Sequence, residues 1–465
     1  MTAKALLLAA IFLSAPATAQ PLRADQTAFR DLYRELVETN TTLSAGSCTL
    51  AAERLAARLK TAGFKDADIT LFSTPEHPKE GGLVAILPGS DAKAKPILLV
   101  GHLDVVEANR EDWTRDPFAL IEEDGYFYGR GTFDDKSQAA IWTDTLIRYK
   151  QSGKAPKRTL KLALTCGEET TNAFNGADWL ARNKPELIAA EYALNEGGGG
   201  RYDPAGKPMG LGVQVGEKTV QNYKIEATNP GGHSSVPRPD NAITDLSRAL
   251  VAVNTHEFPV QFNDTTRTFF ATMAKVTPPN VSGAITTLMA NPDDAAANAI
   301  LSQDASFHST LRTTCVATLV SAGHANNALA QRATSNVNCR LFPGTDPEKT
   351  RADLIATIAN PKVSVSLTPP IRPVAVTPPL NPAVLGPMKA LAEKHFPGVP
   401  FSTTMSTGAT DAIFLSPIGI PTYGAPGLFI DPDGNGMHGL NERIRVKSLM
   451  QGRDYLDDLV HTLAD

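Results

Sequence analysis

The segment GHLDVVEANREDWTRDPFALIEEDGYFYGRGTFDDK, residues 101–136, is the part of the sequence that decides the fold. It follows the short apolar run Ile97–Val100, which a proline and a glycine flank and which predicts a buried strand in a sheet covered on both faces. His102 and Asp104 stand two residues apart at the end of this run, so they point the same way if the strand continues. An imidazole beside a carboxylate suits a metal ligand and the group that orients it.

A second polar cluster closes the same segment. Asp134 and Asp135 lie in the glycine-containing turn Gly129–Lys136. Taken alone, this turn reads as a solvated acidic loop, and His102 as an ordinary buried histidine with a hydrogen-bond partner. Together the two clusters favour a metal site.

Length and composition indicate a globular chain with no affinity for nucleic acid. The 465 residues allow two or three domain-sized units, and 42% of them are hydrophobic. The formal net charge is −5 and the pI is near 6.0, and no run of lysines or arginines stands out. A nucleic acid or an anionic membrane surface is therefore excluded as a partner.

The first nineteen residues predict a secretory signal peptide. Lys4 precedes the apolar run Ala5–Leu13, and Ala17–Ala19 supplies the small residues of a cleavage site after Ala19. The apolar run is too short to span a bilayer, and no later segment is long and apolar enough to do so. We expect an exported protein, periplasmic or extracellular, that has no membrane partner once the signal is removed.

Four cysteines would then lie in an oxidising compartment: Cys48, Cys166, Cys315 and Cys339. Their spacing matches neither a Cys-x-x-Cys motif nor a structural zinc site. Cys315 and Cys339 lie in two successive strand-like runs and could pair, while buried free thiols are equally plausible.

The order of elements predicts two architectures in one chain. Strand, polar cluster and helix recur through the first part, as in a mainly parallel α/β sheet whose ligands bind at the strand ends. Farther on, the order β-α-β-β-α-β predicts an inserted α+β lid domain of ferredoxin-like type, in which residues 258–311 stay unassigned. The predicted division is 1–19 signal peptide, 20–216 first part of the catalytic domain, 217–370 inserted lid and dimerisation domain, and 371–465 second part of the catalytic domain.

Six side chains fall at predicted strand or loop ends of the catalytic domain: His102, Asp134, Glu168, Glu169, Glu196 and His438. Two imidazoles with several carboxylates suit two zinc-type ions, provided that one carboxylate bridges them. Glu168 and Glu169 follow the buried strand Leu160–Thr165. One of the pair can bind metal while the other acts as general base on a bound water.

Several motifs occur in order along the chain: Gly101–Asp104, Trp113 with Asp116–Phe118, Gly129–Lys136, Glu168–Glu169, Asn195–Gly197, Gly231–Ser235 and His438–Glu442. With them the sequence resembles the dinuclear-zinc exopeptidases and amidohydrolases that include aminoacylase, carnosinase, glutamate carboxypeptidase and carboxypeptidase S. The resemblance covers nearly the whole mature chain. It implies a zinc-exopeptidase catalytic domain with a mainly parallel sheet and an inserted lid.

The resemblance also implies two divalent metal ions, zinc by expectation, with cobalt or manganese as alternatives. Asp134 would bridge the two ions. His102 and Glu196 would complete one metal site, and Glu169 and His438 the other.

Further roles follow from the same resemblance. Glu168 would take a proton from the metal-bridging water and pass it to the leaving amine, and Asp104 would orient His102. His233, in the lid, would hydrogen-bond the developing oxyanion, in such proteins often across a dimer interface. A homodimer through the lid domain is therefore one expected partner arrangement.

Arg340 and Asn327 match the substrate-anchoring positions of these proteins. A guanidinium suits bidentate capture of a free substrate carboxylate, although Arg340 also reads as a surface strand residue. The resemblance further implies a cis peptide bond between Asp134 and Asp135.

Three positions depart from the pattern without removing a ligand or the base. Glu107 stands where a proline is usual, Ser137 where a glycine is usual and Ile413 where an arginine is common.

The leading functional hypothesis is a metal-dependent exopeptidase, a carboxypeptidase or dipeptidase, that acts on dipeptides or short peptides. The alternative is an N-acyl amino acid amidohydrolase with the same chemistry, and a third hypothesis is a catalytically silent metal- or peptide-binding protein. A serine hydrolase is disfavoured because no Gly-x-Ser-x-Gly motif occurs. A zincin is disfavoured because His256–Glu257 lacks the second histidine of His-Glu-x-x-His.

Overall fold

The computed structural model of the protein describes residues 22–170 and 174–465. The predicted signal peptide lies outside the described residues. No helix in the described ranges is long and apolar enough to cross a bilayer.

The described residues form nineteen strands. In chain order they are β1 (Ile69–Thr74), β2 (His77–Leu87), β3 (Ile97–His102), β4 (Ile121–Glu123), β5 (Tyr126–Tyr128), β6 (Leu160–Thr165), β7 (Tyr192–Asn195), β8 (Gly198–Tyr202), β9 (Pro208–Glu217), β10 (Thr219–Thr228), β11 (Gly232–His233), β12 (Thr314–Ala322), β13 (Ala328–Leu329), β14 (Arg332–Leu341), β15 (Val363–Thr368), β16 (Phe401–Ser406), β17 (Thr422–Gly424), β18 (Phe429–Ile430) and β19 (Arg443–Arg445).

The same ranges contain fourteen α-helices. They are α1 (Ala24–Val37), α2 (Cys48–Thr61), α3 (Lys136–Ser152), α4 (Gly176–Asn183), α5 (Pro185–Ile188), α6 (Ala242–Thr255), α7 (Asp264–Met273), α8 (Pro279–Ala290), α9 (Ala295–Leu301), α10 (Ala305–Thr310), α11 (Pro347–Ile358), α12 (Pro382–His395), α13 (Ala412–Leu415) and α14 (Val446–Ala464).

A ten-stranded mixed sheet forms the larger part of the molecule. Its strand order is β1-β2-β6-β3-β7-β17-β9-β8-β18, and β16 pairs with β9. The central strands β6, β3, β7 and β17 run parallel. The predicted α/β class with a mainly parallel catalytic sheet is confirmed.

The central strands are buried because helices cover both faces of the sheet. Every residue of β3 and of β6 is buried. One large apolar cluster includes Trp142 of α3 and Leu456 of α14, while a second, on the other face, includes Leu180 of α4. Burial on both faces explains why these strands are continuous apolar runs rather than alternating ones.

A separate four-stranded antiparallel sheet has the order β12-β14-β10-β15, which agrees with the predicted β-α-β-β-α-β order and with β15 as an edge strand. Helix α6 packs on this sheet and contributes Leu246 to its own apolar cluster. The chain passes from one sheet to the other between Glu217 and Thr219. The boundaries of the lid domain, 217–370, stay a prediction.

The unassigned segment 258–311 is a small helical unit, which we call the helical insertion (α7–α10, residues 264–310). Its core includes Phe270, Leu288 and Leu301. Asn263, Asp294 and Asp304 accept hydrogen bonds from backbone amides as N-caps of three of its helices. Asn and Asp are preferred N-cap residues, so these three positions were sequence signals for the starts of the helices.

Both pairs of cysteines form disulfides. Cys315–Cys339 joins β12 to β14, as one of the two sequence readings allowed. Cys48–Cys166 joins the start of α2 to the loop that follows β6. This second pairing links residues 118 positions apart, and no sequence pattern indicated it.

Candidate metal centre

The predicted ligands meet because three parallel strands end at one edge of the sheet. His102 is the last residue of β3, Glu168 and Glu169 follow β6, and Glu196 follows β7. Strand β3 pairs in parallel with both β6 and β7, so their carboxyl ends lie side by side. This arrangement is where ligands bind in open α/β sheets.

Asp134 lies between the two predicted histidine ligands. Its Oδ1 is 3.3 Å from Nε2 of His102, and its Oδ2 is 3.0 Å from Nε2 of His438. The Asp134–Asp135 peptide bond is cis, as the resemblance implied. One carboxylate oxygen facing each imidazole is the geometry that a bridging ligand needs.

Each half of the centre holds a further carboxylate. Glu169 Oε1 is 3.0 Å from His438 Nε2, and Glu196 Oε2 is 3.8 Å from His102 Nε2. The ligand atoms of His102, Asp134 and Glu169 all lie within 4.8 Å of one another. Imidazole nitrogens and carboxylate oxygens are donors that suit zinc, cobalt or manganese, so the residues present fit two divalent ions.

Glu168 lies inside the cluster and is not needed as a ligand. Its carboxylate lies within 4.8 Å of ligand atoms of His102 and Glu196. Burial raises the pKa of Glu168 well above its ordinary value, and the carboxylates of Asp411 and Glu169 raise it further against the opposing effect of His102. A raised pKa is typical of a general acid–base residue.

The two histidines are held in their charged form when only protein groups surround them. Hydrogen bonds to Asp134 and Glu169 raise the pKa of His438 to about 10. Burial opposes protonation of His102, but Glu196, Asp104 and Asp134 outweigh it and raise the pKa of this residue well above its ordinary value. Metal ligation requires neutral imidazoles, so binding would release protons here.

Asp104 contacts His102 and the Glu168–Glu169 turn together. The Nδ1–H of His102 donates to the main-chain carbonyl of Asp104 at 2.9 Å, while the carboxylate is 3.6 Å away. That carboxylate instead accepts the backbone N–H of Glu169 at 3.0 Å and of Glu168 at 3.4 Å. Asp104 therefore positions the turn with its side chain and the imidazole mainly with its backbone.

Glu442, the last residue of the motif His438–Glu442, supports the site although no role was predicted for it. It is buried, and its carboxylate accepts hydrogen bonds from the Arg130 guanidinium at 2.8 Å and from the backbone N–H groups of Gly131, Phe133 and Asp134 at 2.9, 2.9 and 3.1 Å. Glu442 thus holds the turn that carries Asp134. The positions of His438 and Glu442 in one motif were the available signal.

Asp411 has a comparable role at the end of β6. Its carboxylate accepts hydrogen bonds from Thr165 Oγ1 at 2.6 Å and from Asn175 Nδ2 at 2.8 Å, and burial raises its pKa. The Asn175 amide also donates to the carbonyl oxygen of Gly167. Asp411 therefore supports the loop from which Glu168 projects.

Two of the predicted lid residues lie outside the metal cluster, at a small two-stranded sheet: His233 is on β11, and Asn327 directly precedes β13. His233 and Asn327 are exposed neighbours: Ser234 N–H donates to the Asn327 carbonyl oxygen at 3.0 Å. The ring hydrogen bond of His233 within the described chain is to Ser235, at 2.7 Å. The structure thus brings His233 and Asn327 together but not into contact with Asp134 or Glu168.

Arg340 lies half-buried on β14, and burial lowers its pKa. Lys218, which no sequence motif indicated, is fully buried, and in the described residues its Nζ has no hydrogen-bond partner. Burial together with Arg340 and Arg312 lowers the pKa of Lys218 to about 7. A carboxylate bound beside Lys218 and Arg340 would favour the protonated amine, which fits the predicted capture of a substrate carboxylate.

Two of the three residues that depart from the family pattern, Glu107 and Ser137, make side-chain hydrogen bonds to neighbouring segments. The Glu107 carboxylate accepts hydrogen bonds from Ser44 N–H and Oγ at 2.9 and 2.7 Å. Ser137 Oγ donates to the carbonyl oxygen of Phe133 at 2.7 Å. These hydrogen bonds stabilise loops that neighbour predicted site residues. Ile413, the third departure, is buried.

Comparison with known proteins agrees with this geometry. The model of peptidase family M20/M25/M40 matches residues 98–462. The human N-fatty-acyl-amino acid synthase/hydrolase PM20D1 is 26% identical over 402 residues, which cover 84% of this chain and 78% of that protein. The probable carboxypeptidase S-like 2 of Dictyostelium discoideum is 26% identical over 381 residues, which cover 80% and 72%.

Two solved structures share the fold. The M20 family metallo-carboxypeptidase Sso-CP2 from Sulfolobus solfataricus superposes with a TM-score of 0.70 at 18% identity, covering 95% of this chain and all of that one. Human carnosine dipeptidase 1 superposes with a TM-score of 0.62 at 15% identity, covering 94% and 97%. Since the family model spans most of the sequence and the predicted ligands converge at the strand ends, this chain belongs to peptidase family M20/M25/M40.

Proposed function

We propose that the protein is a metal-dependent hydrolase that cleaves an amide bond, and specifically an exopeptidase, a carboxypeptidase or dipeptidase, acting on dipeptides or short peptides. One observation carries the proposal: a half-buried carboxylate, Glu168, lies beside a cluster of two imidazoles and three carboxylates without being needed as a ligand, in a chain of a peptidase family. A purely structural metal site would not need that extra carboxylate.

Five side chains would hold the two ions. Asp134 would bridge, with His102 and Glu196 on one side and Glu169 and His438 on the other. Bound divalent ions lower the pKa of a water from 15.7 towards about 7 and polarise the amide carbonyl. We propose zinc as the native metal, because imidazole with carboxylate is its usual donor set, with cobalt or manganese as alternatives.

The protein side chains then supply proton transfer and alignment. Glu168 takes a proton from the attacking water and later delivers it to the leaving amine nitrogen. Asp104 keeps Glu168 in place through the backbone of the turn. Arg340 anchors the free carboxylate of the substrate, Asn327 contacts the substrate beside it, and His233 donates to the oxyanion once the lid closes.

A second candidate is hydrolysis of an N-acyl amino acid. It is favoured by the relatives, since several are named N-fatty-acyl-amino acid synthase/hydrolase. The scissile amide and the free carboxylate are the same in both reactions, and only the acyl side differs. The two candidates therefore predict the same metal centre and differ in the preferred acyl group.

We further propose that the protein is exported and forms a homodimer through the lid. Two disulfides support an oxidising compartment. The edge strand β12 exposes Val316, Leu319 and Val320, at 61, 70 and 69% of their surface, and an apolar edge of this kind favours pairing with a second copy. A partner copy could bring its His233 to the metal centre, which the chain's own His233 does not contact.

The test compares wild type with Glu168→Gln on dipeptides and on N-acetyl amino acids, with metal content measured on both proteins. We expect two metals per chain in each, and a loss of kcat of at least about a thousandfold in the variant, because the amide side chain cannot accept a proton. Glu76→Gln, which makes the same change at an exposed carboxylate in the turn between β1 and β2, is the matched control and should keep full activity. Normal turnover by Glu168→Gln would refute the assignment of the base.

The substrate set that the wild type cleaves faster, dipeptides or N-acyl amino acids, distinguishes the two candidate reactions. Faster cleavage of dipeptides identifies an exopeptidase, and faster cleavage of N-acyl amino acids identifies an amidohydrolase. Two bound metals per chain without hydrolysis of either substrate set would favour the third hypothesis, a catalytically silent metal- or peptide-binding protein.

A further inference from the structure

Glu217 is a buried glutamate at the point where the chain leaves the catalytic sheet for the lid. It is the last residue of β9, and β10 of the lid sheet begins two residues later, at Thr219. Glu217 is not one of the predicted metal ligands. Burying a carboxyl group is costly unless polar groups pair with it, so the contacts of Glu217 indicate what it holds in place.

A chain of hydrogen bonds runs from Glu217 to the residue that precedes the predicted metal ligand Glu196. The Thr410 hydroxyl donates to Oε2 of Glu217 at 2.8 Å, and the Asn195 side-chain amide donates to Thr410 Oγ1 at 3.0 Å. Asn195 is the last residue of β7 and is itself buried. One hydroxyl therefore joins the carboxyl group at the end of β9 to the end of β7.

A second contact of Glu217 reaches the other side of Glu196. The Gln214 side-chain amide donates to the same Oε2 atom at 3.1 Å. Gln214 packs so closely against Gly197 that a Cβ added to this glycine would lie 2.5 Å from Gln214 Oε1. The residues before and after Glu196 are therefore both supported from one carboxyl group.

The main chain of the catalytic sheet fixes this carboxyl group in turn. Glu217 of β9 pairs in parallel register with Ser406 of β16, and the backbone N–H of Lys218 donates to the Ser406 carbonyl oxygen at 3.1 Å. Glu196 and Glu217 also line one small cavity of about 10 Å³, so the two residues are close neighbours in space. A group that orients a metal ligand has to be held rigidly itself, and Glu217 meets this requirement.

We propose that Glu217 is a positioning residue of the metal centre. Through Thr410 and Gln214 it fixes the segment that carries Glu196. The metal site formed by Glu196 and His102 depends on this support, because a ligand that is fixed before the metal arrives loses less conformational freedom on binding. The inference rests on the proposed dinuclear centre and adds to it the group that orients one of its ligands.

Breaking the Thr410 link should weaken one metal site and spare the other. Thr410→Val keeps the shape of the side chain but loses the hydroxyl, so we expect the affinity of one of the two zinc-binding steps to fall about 10- to 100-fold. Thr410→Ser restores the hydroxyl and should restore the affinity. Thr403→Val is the matched control, because the Thr403 hydroxyl is buried on β16 and has no hydrogen-bond partner among the described residues. Zinc titration in competition with a chromogenic chelator measures both steps.

Two reference variants identify the affected step, since Glu196→Gln marks the step at its own site and His438→Gln marks the other. The Thr410→Val shift should coincide with that of Glu196→Gln. Glu217→Leu should weaken the same step, and adding Thr410→Val to it should cause no further loss, because both changes remove the same link. Burial raises the pKa of Glu217 to about 8. The group is thus largely uncharged at neutral pH, and Glu217→Gln, which keeps an acceptor oxygen, should bind zinc like wild type.

Wild-type affinity in both steps of Thr410→Val would overturn the positioning role while leaving the metal centre intact. Equal weakening of both steps, or the same loss in Thr403→Val, would also overturn it, since a general loosening of the fold does not select one site. A wild type that binds no zinc would refute the proposed metal centre and the positioning role together. The expected shifts without hydrolysis of any substrate by wild type would support the positioning role and refute the proposed function.

Discussion

At the scale of single residues, the metal centre depends on side chains that bind no metal. Glu442 accepts four hydrogen bonds on the turn that carries Asp134, and it neutralises the buried Arg130. Arg130 in turn stacks over Trp113, with its guanidinium carbon 4.9 Å from the ring centroid. These groups explain why Trp113, Arg130 and Glu442 all occur within the motifs although none of them is a predicted ligand.

We predict that Glu442→Gln lowers the affinity for the metal by about 10- to 100-fold, the range observed for groups that orient metal ligands. The substitution keeps the volume but removes the charge that pairs with Arg130 and turns one acceptor oxygen into a donor group. Competition with a chromogenic chelator measures the effect. Glu123→Gln, an exposed carboxylate paired with Arg115, serves as the control.

Unchanged affinity in Glu442→Gln would contradict this orienting role. A reduced affinity should also appear as a lower Tm at limiting metal, because metal binding stabilises only the folded state. Adding excess metal should restore most of that loss.

At the scale of elements, the carboxyl ends of three parallel strands form the site, and a disulfide links the loop after one of these strands to a helix. Strands β3, β6 and β7 bring four predicted residues to one edge. Cys166 leaves β6 immediately before the Glu168 turn and is joined to Cys48 at the start of α2. The loop that carries the base is therefore attached to a helix as well as to the sheet.

We predict that replacing both Cys48 and Cys166 by alanine lowers the free energy of unfolding by about 5 kcal/mol, from the chain entropy of a long loop. The same replacement of Cys315 and Cys339 should cost about 3.5 kcal/mol, since its loop is much shorter. The separations are 118 and 24 residues. Equilibrium urea unfolding measures both, and the Cys48/Cys166 variant alone should also lose activity.

An equal loss of activity in both double variants would show that the Cys48–Cys166 bridge has no special role in positioning the Glu168 turn. Equal stability losses would argue against the loop-entropy explanation.

At the scale of the whole molecule, two regions approach the metal centre differently. The helical insertion reaches the catalytic sheet directly through α7 and β16. His233 and Asn327 instead lie exposed in the lid region, beside the β11–β13 pair. The candidate metal ligands therefore come together within one chain, whereas the predicted oxyanion donor, His233, would reach them by lid closure or from a second copy.

We predict a dimer in solution that Leu319→Lys converts to a monomer, because the substitution places a charge in the apolar edge strand β12. Light scattering coupled to size-exclusion chromatography measures the mass. Val276→Lys alters an equally exposed apolar residue, 73% exposed, in the helical insertion and should leave the dimer unchanged. A wild-type protein that is monomeric at all concentrations tested would refute the dimer.

The sequence by itself determined the features that follow from local patterns, namely the buried strands and the residues at their ends. The buried strands Ile97–His102 and Leu160–Thr165 were predictable because burial on both faces requires continuous apolar runs, and the strand ends then placed His102 and Glu168 at one edge. Predicted strand and loop ends also indicated Asp134, Glu169, Glu196 and His438, and the motif resemblance supplied their division between two metal ions. The structure brings these four side chains together.

Tertiary structure alone decided the contacts between distant segments. The pairing of Cys48 with Cys166, the four hydrogen bonds of Glu442 and the burial of Lys218 join residues with no common local pattern. The same holds for the helical insertion: Phe269 lines a cavity beside Asp134 and Glu196 only because α7 packs on β16. Periodicity reports which face of an element is buried, but the partner of that face is chosen by the packing of the whole chain.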